Sequence, residues 1–441
     1  MFTARLKKTL NRAIDVVEKT QTTMVTGRIT RVVGIVMEGV GVSARVGDIC
    51  LIYPDGGEPL EAEVVGFSGE KILIMPFGDV RGIGAGSRIS IVKKGATTGV
   101  GEGLLGRIID GCGKAIDGKG NVEYEAEYPL YRNPPAPLDR RPIDTPLDVG
   151  IRAINALVTI GKGQRMGIFA GSGVGKSVLI GMMAKGTAAD VNVIALIGER
   201  GREVKEFIER ELGYEGLKNS VVVAATSDEP PLIRIRAAFV AQTIAEYFRD
   251  RGKDVLLVMD SLTRFAMAQR EVGLASGEPP TTKGYPPSVF ALLPKLLERP
   301  GALQKGGTIT ALYTILTEGD DVNDPVADAV RAILDGHIVL SRELATMGHF
   351  PAIDVLQSIS RVMNNVVSAQ HMQLATELKS ILADYMKAKD LINIGAYKKG
   401  NDKRIDRAID MIERINNFLR QNITEKVDFE DSLQLLYALF S

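Results

Sequence analysis

Apolar positions recur along the chain with different periods, and each change of period marks a change of structure. Over residues 1–20, Phe2, Leu6, Leu10, Ile14 and Val17 fall at steps of three or four, with Arg5, Lys7, Lys8 and Arg12 among them. That spacing predicts an amphipathic basic helix, which either packs on its own subunit or meets a partner or an acidic bilayer. From Thr22 to about Val92 the text shortens to β-rich pieces (TGRITRVVGIVMEGV, DICLIYP, EAEVVGF, KILIMPF, RISIV) separated by Gly, Asp and Pro. Short strands at that interval predict a small closed barrel over residues 21–95.

A Gly-rich and then Pro-rich stretch follows, LLGRIIDGCGKAIDGKG and YRNPPAPLDRRPIDTP, whose turn residues predict an extended connector over residues 96–146. From Leu147 to about residue 345, apolar runs (VNVIALIG, VLLVMD, TITALYTIL) alternate with helical stretches such as Ser177 to Gly186 and Pro231 to Arg251. The alternation predicts an α/β domain, a parallel sheet covered by helices, over residues 147–345. After Arg361 the strand signal fades into charged, periodic text, including HMQLATELKSILADYMKAK and RIDRAIDMIERINNFLRQ, so residues 346–441 are expected to form a helical domain.

Composition narrows the possibilities without naming a partner. The chain has 441 residues, 45% of them apolar, room for roughly two to four domains. Lys plus Arg (54) equals Asp plus Glu (54), so no global field draws nucleic acid or an anionic membrane. Cys50 and Cys112 lie far apart with no histidine at metal-ligand spacing, which predicts two buried thiols in a reducing cytosol and argues against zinc. No apolar run approaches the ~18 residues that span a bilayer, and no signal peptide opens the chain, so a soluble protein is expected.

Candidate chemistry concentrates in QRMGIFAGSGVGKSVLIGMM, an apolar strand, a glycine turn and a helix start. This is the context of a phosphate-binding loop, in which Gly171, Gly173 and Gly175 let backbone N–H groups turn inward and the helix adds its positive end. Ala170, Gly171, Ser172, Gly173, Val174, Gly175, Lys176, Ser177 and Val178 are therefore expected around a nucleotide, with Ala170 where Gly is usual. Lys176 reaches the β- and γ-phosphates, and Ser177 gives a hydroxyl to Mg²⁺. VLLVMD places Asp260 at the end of a buried strand, either as a second magnesium contact through water or as a helix cap. In GERGREV, Glu199 leaves another strand at the same edge and can polarise a water, unless it only pairs with Arg200 or Arg202. His337, His349 and His371 are scattered and read as structural.

AGSGVGKS, GER followed by GREV, SDEPPLIRIRAAFVAQTIAEYFRDRG, VLLVMDSLTRFA, and PAIDVLQSIS followed by Arg361 occur here in that order. Together they resemble the catalytic subunits of the rotary ATP synthase and type III secretion ATPase superfamily, across residues 22–441. TTKGYPPSVFALLPKLLERPG resembles the secretion and flagellar-export ATPases, and LADYMKAKDLINIGAYKKGND stands where rotary catalytic subunits carry an acidic loop.

The resemblance implies a β-barrel, a RecA-like domain and a helical domain, assembled as a homohexamer with nucleotide sites between neighbours. It implies ATP hydrolysis with Mg²⁺, catalysed by Lys176, Glu199, an arginine finger Arg361 and a supporting Arg200, with Arg264 near the phosphates and Phe350 and Tyr397 packing on adenine. It also implies a cytoplasmic enzyme at the inner-membrane export apparatus that releases unfolded cargo from chaperones. The implied partners are a membrane export gate, a central coiled-coil stalk and a stator-like regulator at the first helix. The rivals are a proton- or sodium-translocating rotary subunit, a virulence secretion ATPase, a noncatalytic regulatory subunit and a ring-shaped nucleic-acid translocase, the last disfavoured by a barrel with few aromatics and balanced charge.

Overall fold

The computed structural model describes residues 25–316 and 324–441, so the amphipathic helix expected over residues 1–20 lies outside the described residues. The chain divides into two compact units, 1–96 and 97–441.

In the first unit, β1 (Thr26–Val33), β2 (Val36–Val40), β3 (Ile49–Tyr53), β4 (Leu60–Ser68), β5 (Lys71–Pro76) and β6 (Arg88–Lys93) close into a barrel in the order β1-β2-β5-β4-β3-β6. Neighbouring strands are antiparallel, and period-two alternation sends Ile29, Met37, Ile52, Val64, Ile74 and Ile89 inward. The interior is tight enough to require a bare backbone: a Cβ on Gly39 would stand 2.7 Å from Ile89 Cδ1. Cys50 belongs to this core, where burial pushes its thiol up to about 12.

The second unit is built on a nine-stranded sheet. Its strands are β8 (Arg107–Asp110), β10 (Arg165–Ala170), β11 (Val191–Ile197), β12 (Ser220–Ala225), β13 (Asp254–Asp260), β15 (Thr308–Leu316), β16 (Gly336–Leu340) and β17 (Ile353–Ser360), with the short β14 (Gly301–Ala302) beside β15. The order is β17-β16-β10-β15-β13-β11-β12-β8. From β16 to β8 every neighbour is parallel, and β17 is antiparallel to β16. β11 and β12 are buried at every position, as strands covered on both faces must be. A separate ribbon pairs β7 (Thr97–Val100) with β9 (Ala126–Pro129).

Both edges of the sheet depart from the sequence expectation. β8 comes from the Gly-rich stretch expected as a connector, and β17 from the stretch expected as helical. β8 is only four residues long and ends on the DGCG turn, so its turn residues outweighed its strand signal. Cys112, in that turn, is half-buried rather than buried.

One helix carries an unusual polar interior. Pro231–Asp250 begins on proline in its first turn and buries Arg236, Gln242, Thr243, Glu246 and Arg249 along with its apolar face. The Glu246 carboxylate accepts from Arg299 Nε at 2.7 Å and Nη2 at 2.9 Å, and Arg299, fully buried, also donates to the Leu130 carbonyl at 2.6 Å. This bidentate pair fastens the helix to the segment before β14 and to the end of β9.

The C-terminal helices Ala369–Asn393, Lys403–Leu419 and Phe429–Phe440 start on Ser368, Asp402 and Asp428, each accepting a hydrogen bond from a first-turn N–H. His371 ties the first of them to the sheet unit through the Ala156 carbonyl at 2.7 Å. Among the described residues no helix is long and apolar enough to cross a membrane.

Because Arg299→Leu would leave the buried Glu246 carboxylate with only Gln242 at 3.2 Å and Arg132 at 3.4 Å, it is expected to lower unfolding free energy by about 3 kcal/mol. The double variant Arg299→Leu/Glu246→Leu should recover most of it in urea titrations. A double variant as unstable as the single one would refute this account of the pair.

Candidate active site

β10 ends at Ala170, the chain turns through Gly171–Gly175, and a helix runs over Lys176–Gly186. Gly173 (φ 78°) and Gly175 (φ 87°) take left-handed backbone that side-chain-bearing residues rarely adopt. Among the described residues no side chain caps this helix, so its first N–H groups remain for another acceptor, the usual anion-binding character of a helix start. Ala170, Gly171 and Val174 are buried, whereas Ser172, Gly173 and Ser177 are exposed.

Sheet order brings the expected acidic residues beneath this loop. β10, β15, β13 and β11 are consecutive neighbours, so the residues at their C-terminal ends share one edge. The Lys176 ammonium bonds Asp260 Oδ1 and lies 3.5 Å from Glu199 Oε1. Thr314, on β15, donates to the same Asp260 oxygen at 2.6 Å. Asp260 is 3% exposed, so its charge is sustained by the ammonium and the hydroxyl, not by water.

Glu199 follows Gly198 (φ 69°), where a side chain would strike Arg264. Its backbone carbonyl accepts from Ser227 N–H at 3.0 Å, which fixes the turn after β11. Glu199 Oε1 is buried without a hydrogen-bond partner among the described residues. Burial pushes this carboxyl above the ordinary glutamate range. Lys176 pulls the other way, and the Asp260 and Glu203 carboxylates add to the rise. A largely buried carboxylate with one oxygen free of hydrogen bonds and its affinity for protons increased has the character of a group poised to receive one.

The other expected residues divide. Arg200 does not join the triad: its side chain is 80% exposed and pairs with Glu203 at 3.4 Å on the helix Gly201–Glu206, because Arg200 is that helix's N-cap and faces outward. Arg264 packs on Gly198, its Nε without a hydrogen-bond partner among the described residues. Tyr397 is tied into its own turn, its hydroxyl 2.9 Å from Asp406 Oδ1 and 3.0 Å from the Asp402 carbonyl. Phe350 is 46% exposed, with its ring within 3.6 Å of where a Gly175 Cβ would stand.

Phe350, Val174, Gly175 and Val178 border a pocket of about 580 Å³ whose far wall is the segment Arg420–Ile423. That wall was missed in the sequence, as were Glu203 and Thr314. It follows an ordinary amphipathic helix and has no local motif. His349, next to Phe350, is buried, and burial followed by nearby Arg420 lowers its pKa.

Arg361 occupies the opposite end of the sheet. Its N–H donates to the Asp335 carbonyl at 2.9 Å, and Asp335 N–H donates to the Arg165 carbonyl at 2.9 Å, which places Arg361 level with the start of β10. Five residues of β10, about 17 Å at the ordinary strand rise, separate that level from Ala170. The Arg361 side chain is exposed and makes no ion pair among the described residues.

Three family models match successive stretches of the chain: the ATP synthase alpha/beta family beta-barrel domain over residues 29–92, the nucleotide-binding domain of the same family over 150–360, and the T3SS EscN ATPase C-terminal domain over 367–438. The chain is 53% identical to the flagellum-specific ATP synthase of Bacillus subtilis, covering 97% of this chain and 98% of the relative. It is 50% identical to the type 3 secretion system ATPase of Xanthomonas euvesicatoria, covering 94% and 93%. Among solved structures it is similar to the assembled ATPase EscN of the enteropathogenic E. coli type III secretion system, with TM-score 0.89, 48% identity and coverage of 94% and 100%. EscN in complex with its central stalk EscO gives a TM-score of 0.87 at 47% identity, with the same coverage.

Removing the ammonium strands two carboxylates, so Lys176→Met is expected to lower unfolding free energy on the order of 3 kcal/mol at mildly alkaline pH. Glu199 takes up a proton more readily folded than unfolded. Its protonated form therefore favours the fold below the ordinary 4.5, and that benefit is lost as pH rises through the raised value. The deficit of Lys176→Met should shrink on acidification, as read by urea titration across pH. A deficit independent of pH would rule out the carboxylate pair as its cause.

Proposed function

The chain belongs to the ATP synthase alpha/beta family, in the branch of the flagellum-specific and type 3 secretion ATPases, and from that premise we propose that it powers flagellar protein export as a homohexamer with shared active sites. It hydrolyses ATP. The observation that carries the catalytic part of the reading is the Lys176 ammonium shared between Asp260 and Glu199 beneath a glycine loop.

The loop amides and the start of the Lys176–Gly186 helix bind the phosphates, and Lys176 exchanges Asp260 for the β- and γ-phosphate oxygens. A hydroxyl, Ser177, and a carboxylate, Asp260, at the same strand edge make the hard oxygen donor set that suits Mg²⁺. Magnesium bound with the nucleotide supplies charge neutralisation across the phosphates. Thr314 keeps Asp260 hydrogen-bonded while Lys176 departs.

Glu199 accepts the proton of the attacking water, a task favoured by a carboxyl held above its ordinary range. Adenine lies in the pocket between Phe350 and the Arg420–Ile423 wall. Arg361, about 17 Å along the strand direction from its own loop, stabilises transition-state charge in the site of a neighbouring copy.

EscN has a central stalk partner, EscO, in its solved complex, and the same kind of partner is proposed here. The remaining partners are an export gate at the inner membrane, chaperones carrying unfolded cargo, and a regulator at the first helix. A virulence secretion role is the second reading, favoured by relatives near 50% identity that are named type 3 secretion ATPases. The match of residues 367–438 to the EscN C-terminal domain speaks against a rotary proton or sodium pump.

Lys176→Ala is expected to abolish nucleotide binding, and Glu199→Gln to bind ATP with turnover reduced by about a hundredfold or more. Arg361→Ala should bind ATP and turn over slowly. Mixing it with Lys176→Ala protein should restore part of the activity, since mixed interfaces join an intact loop to an intact Arg361. No recovery in a phosphate-release assay would place each site within one subunit.

Ionised Glu199 is the active form, so kcat/KM should fall on acidification through a limb lying above the usual glutamate range. Glu203→Gln removes one of the groups that raise Glu199 and should move that limb to lower pH. An unmoved limb would assign it to another group.

A further inference from the structure

The pocket wall Arg420–Ile423 comes from a part of the chain far from the loop, and something must hold it there. The joint is Gln421. Its side chain is 5% exposed and every polar atom of it is engaged. Oε1 accepts from Arg152 N–H at 2.8 Å, and Nε2 donates to the Gly150 carbonyl at 2.8 Å and the Glu425 carbonyl at 2.9 Å. Its backbone N–H donates to the Phe350 carbonyl at 3.0 Å. One residue thus joins the wall to the start of the helix Arg152–Leu157, to its own loop, and to the aromatic residue on the pocket's other side.

The surroundings reinforce the joint. Arg152, 8% exposed, donates to the Phe418 carbonyl at 3.1 Å and pairs with Glu425, whose second oxygen accepts from Asn422 N–H at 3.1 Å. Gly150 is left-handed, and a Cβ there would stand 2.7 Å from Gly186, the end of the loop's own helix. A rigid path therefore runs from that helix through Gly150 and Gln421 to Phe350.

We propose that Gln421 is a positioning residue for the base of the nucleotide: it sets the gap between Phe350 and the Arg420–Ile423 wall and leaves the phosphate grip to the loop. The proposal rests on the pocket being the nucleotide's. Because its amide is fully used within the protein, Gln421 acts on the base through the wall it holds and through Phe350. Only an amide supplies one acceptor and two donors in this fork; leucine would strand all three partners, and glutamate would turn a charged oxygen onto two carbonyls.

The experiment compares ATP with inorganic tripolyphosphate, each with Mg²⁺, by calorimetry on the full-length protein, and follows ATP turnover. Tripolyphosphate needs the loop and Lys176 but no base pocket. Gln421→Leu is expected to weaken ATP binding about tenfold while tripolyphosphate binds as in the wild type, and to raise KM with kcat retained. On a Phe350→Ala background the same change should add little, because both act on one gap.

Gln421→Asn, which keeps an amide but is one methylene too short to reach all three partners, should show the same pattern more weakly if the leucine variant folds poorly. ATP binding unchanged in either folded variant would overturn the proposal, as would equal loss of ATP and tripolyphosphate. A wild-type protein that binds neither ligand would instead fail the underlying assignment of the pocket, and Lys176→Ala, expected to lose both, calibrates that distinction.

Discussion

Two carboxylates and one ammonium, brought to one edge of a parallel sheet, are the constraint around which the second unit is organised. Asp260 and Glu199 end or follow separate strands and would repel each other in a site where water is scarce. Lys176 lies between them only because β10, β15, β13 and β11 are consecutive in the sheet. Those four strands must therefore keep their order, and the glycine loop must be tight enough to begin a helix at Lys176. The cluster holds one more negative than positive charge, so the ammonium is neutralised on the protein's own side before any phosphate arrives. A phosphate must compete for it, and Thr314 is what Asp260 retains when the competition succeeds.

What was legible in the sequence follows from how local each cause is. A phosphate loop is a property of a dozen adjacent residues: an apolar strand, glycines able to turn left-handed, and an uncapped helix start. Asp260 and Glu199 were legible because each leaves a buried apolar run, and parallel sheets present such ends on one edge. The barrel was legible because period-two alternation and turn residues recur along it.

The features that escaped have non-local causes. The pocket wall at Arg420–Ile423 faces Val174 across some 250 residues of chain, and nothing in FLRQN marks it. Tyr397 is drawn into its own turn by Asp402 and Asp406, and Arg200 is turned outward by its place at a helix N-cap. β8 and β17 are edge strands, shorter or half-exposed, so their patterns carry little strand signal.

The placement of Arg361 links chemistry to assembly. Its backbone is fixed through Asp335 to the start of β10, while the loop it is proposed to assist opens from the end of a strand of the same kind. A parallel strand is stiff and extended, so no side-chain rotation brings the two ends of one copy together. The Arg361 guanidinium is exposed and makes no ion pair among the described residues, which leaves it available to a group outside its own copy. If it acts on phosphate, it acts on a neighbour's, and hydrolysis then depends on how two copies meet. On the proposed arrangement, a change in phosphate charge would alter the interface between copies, which is the physical route by which such an assembly can convert a local reaction into motion between subunits.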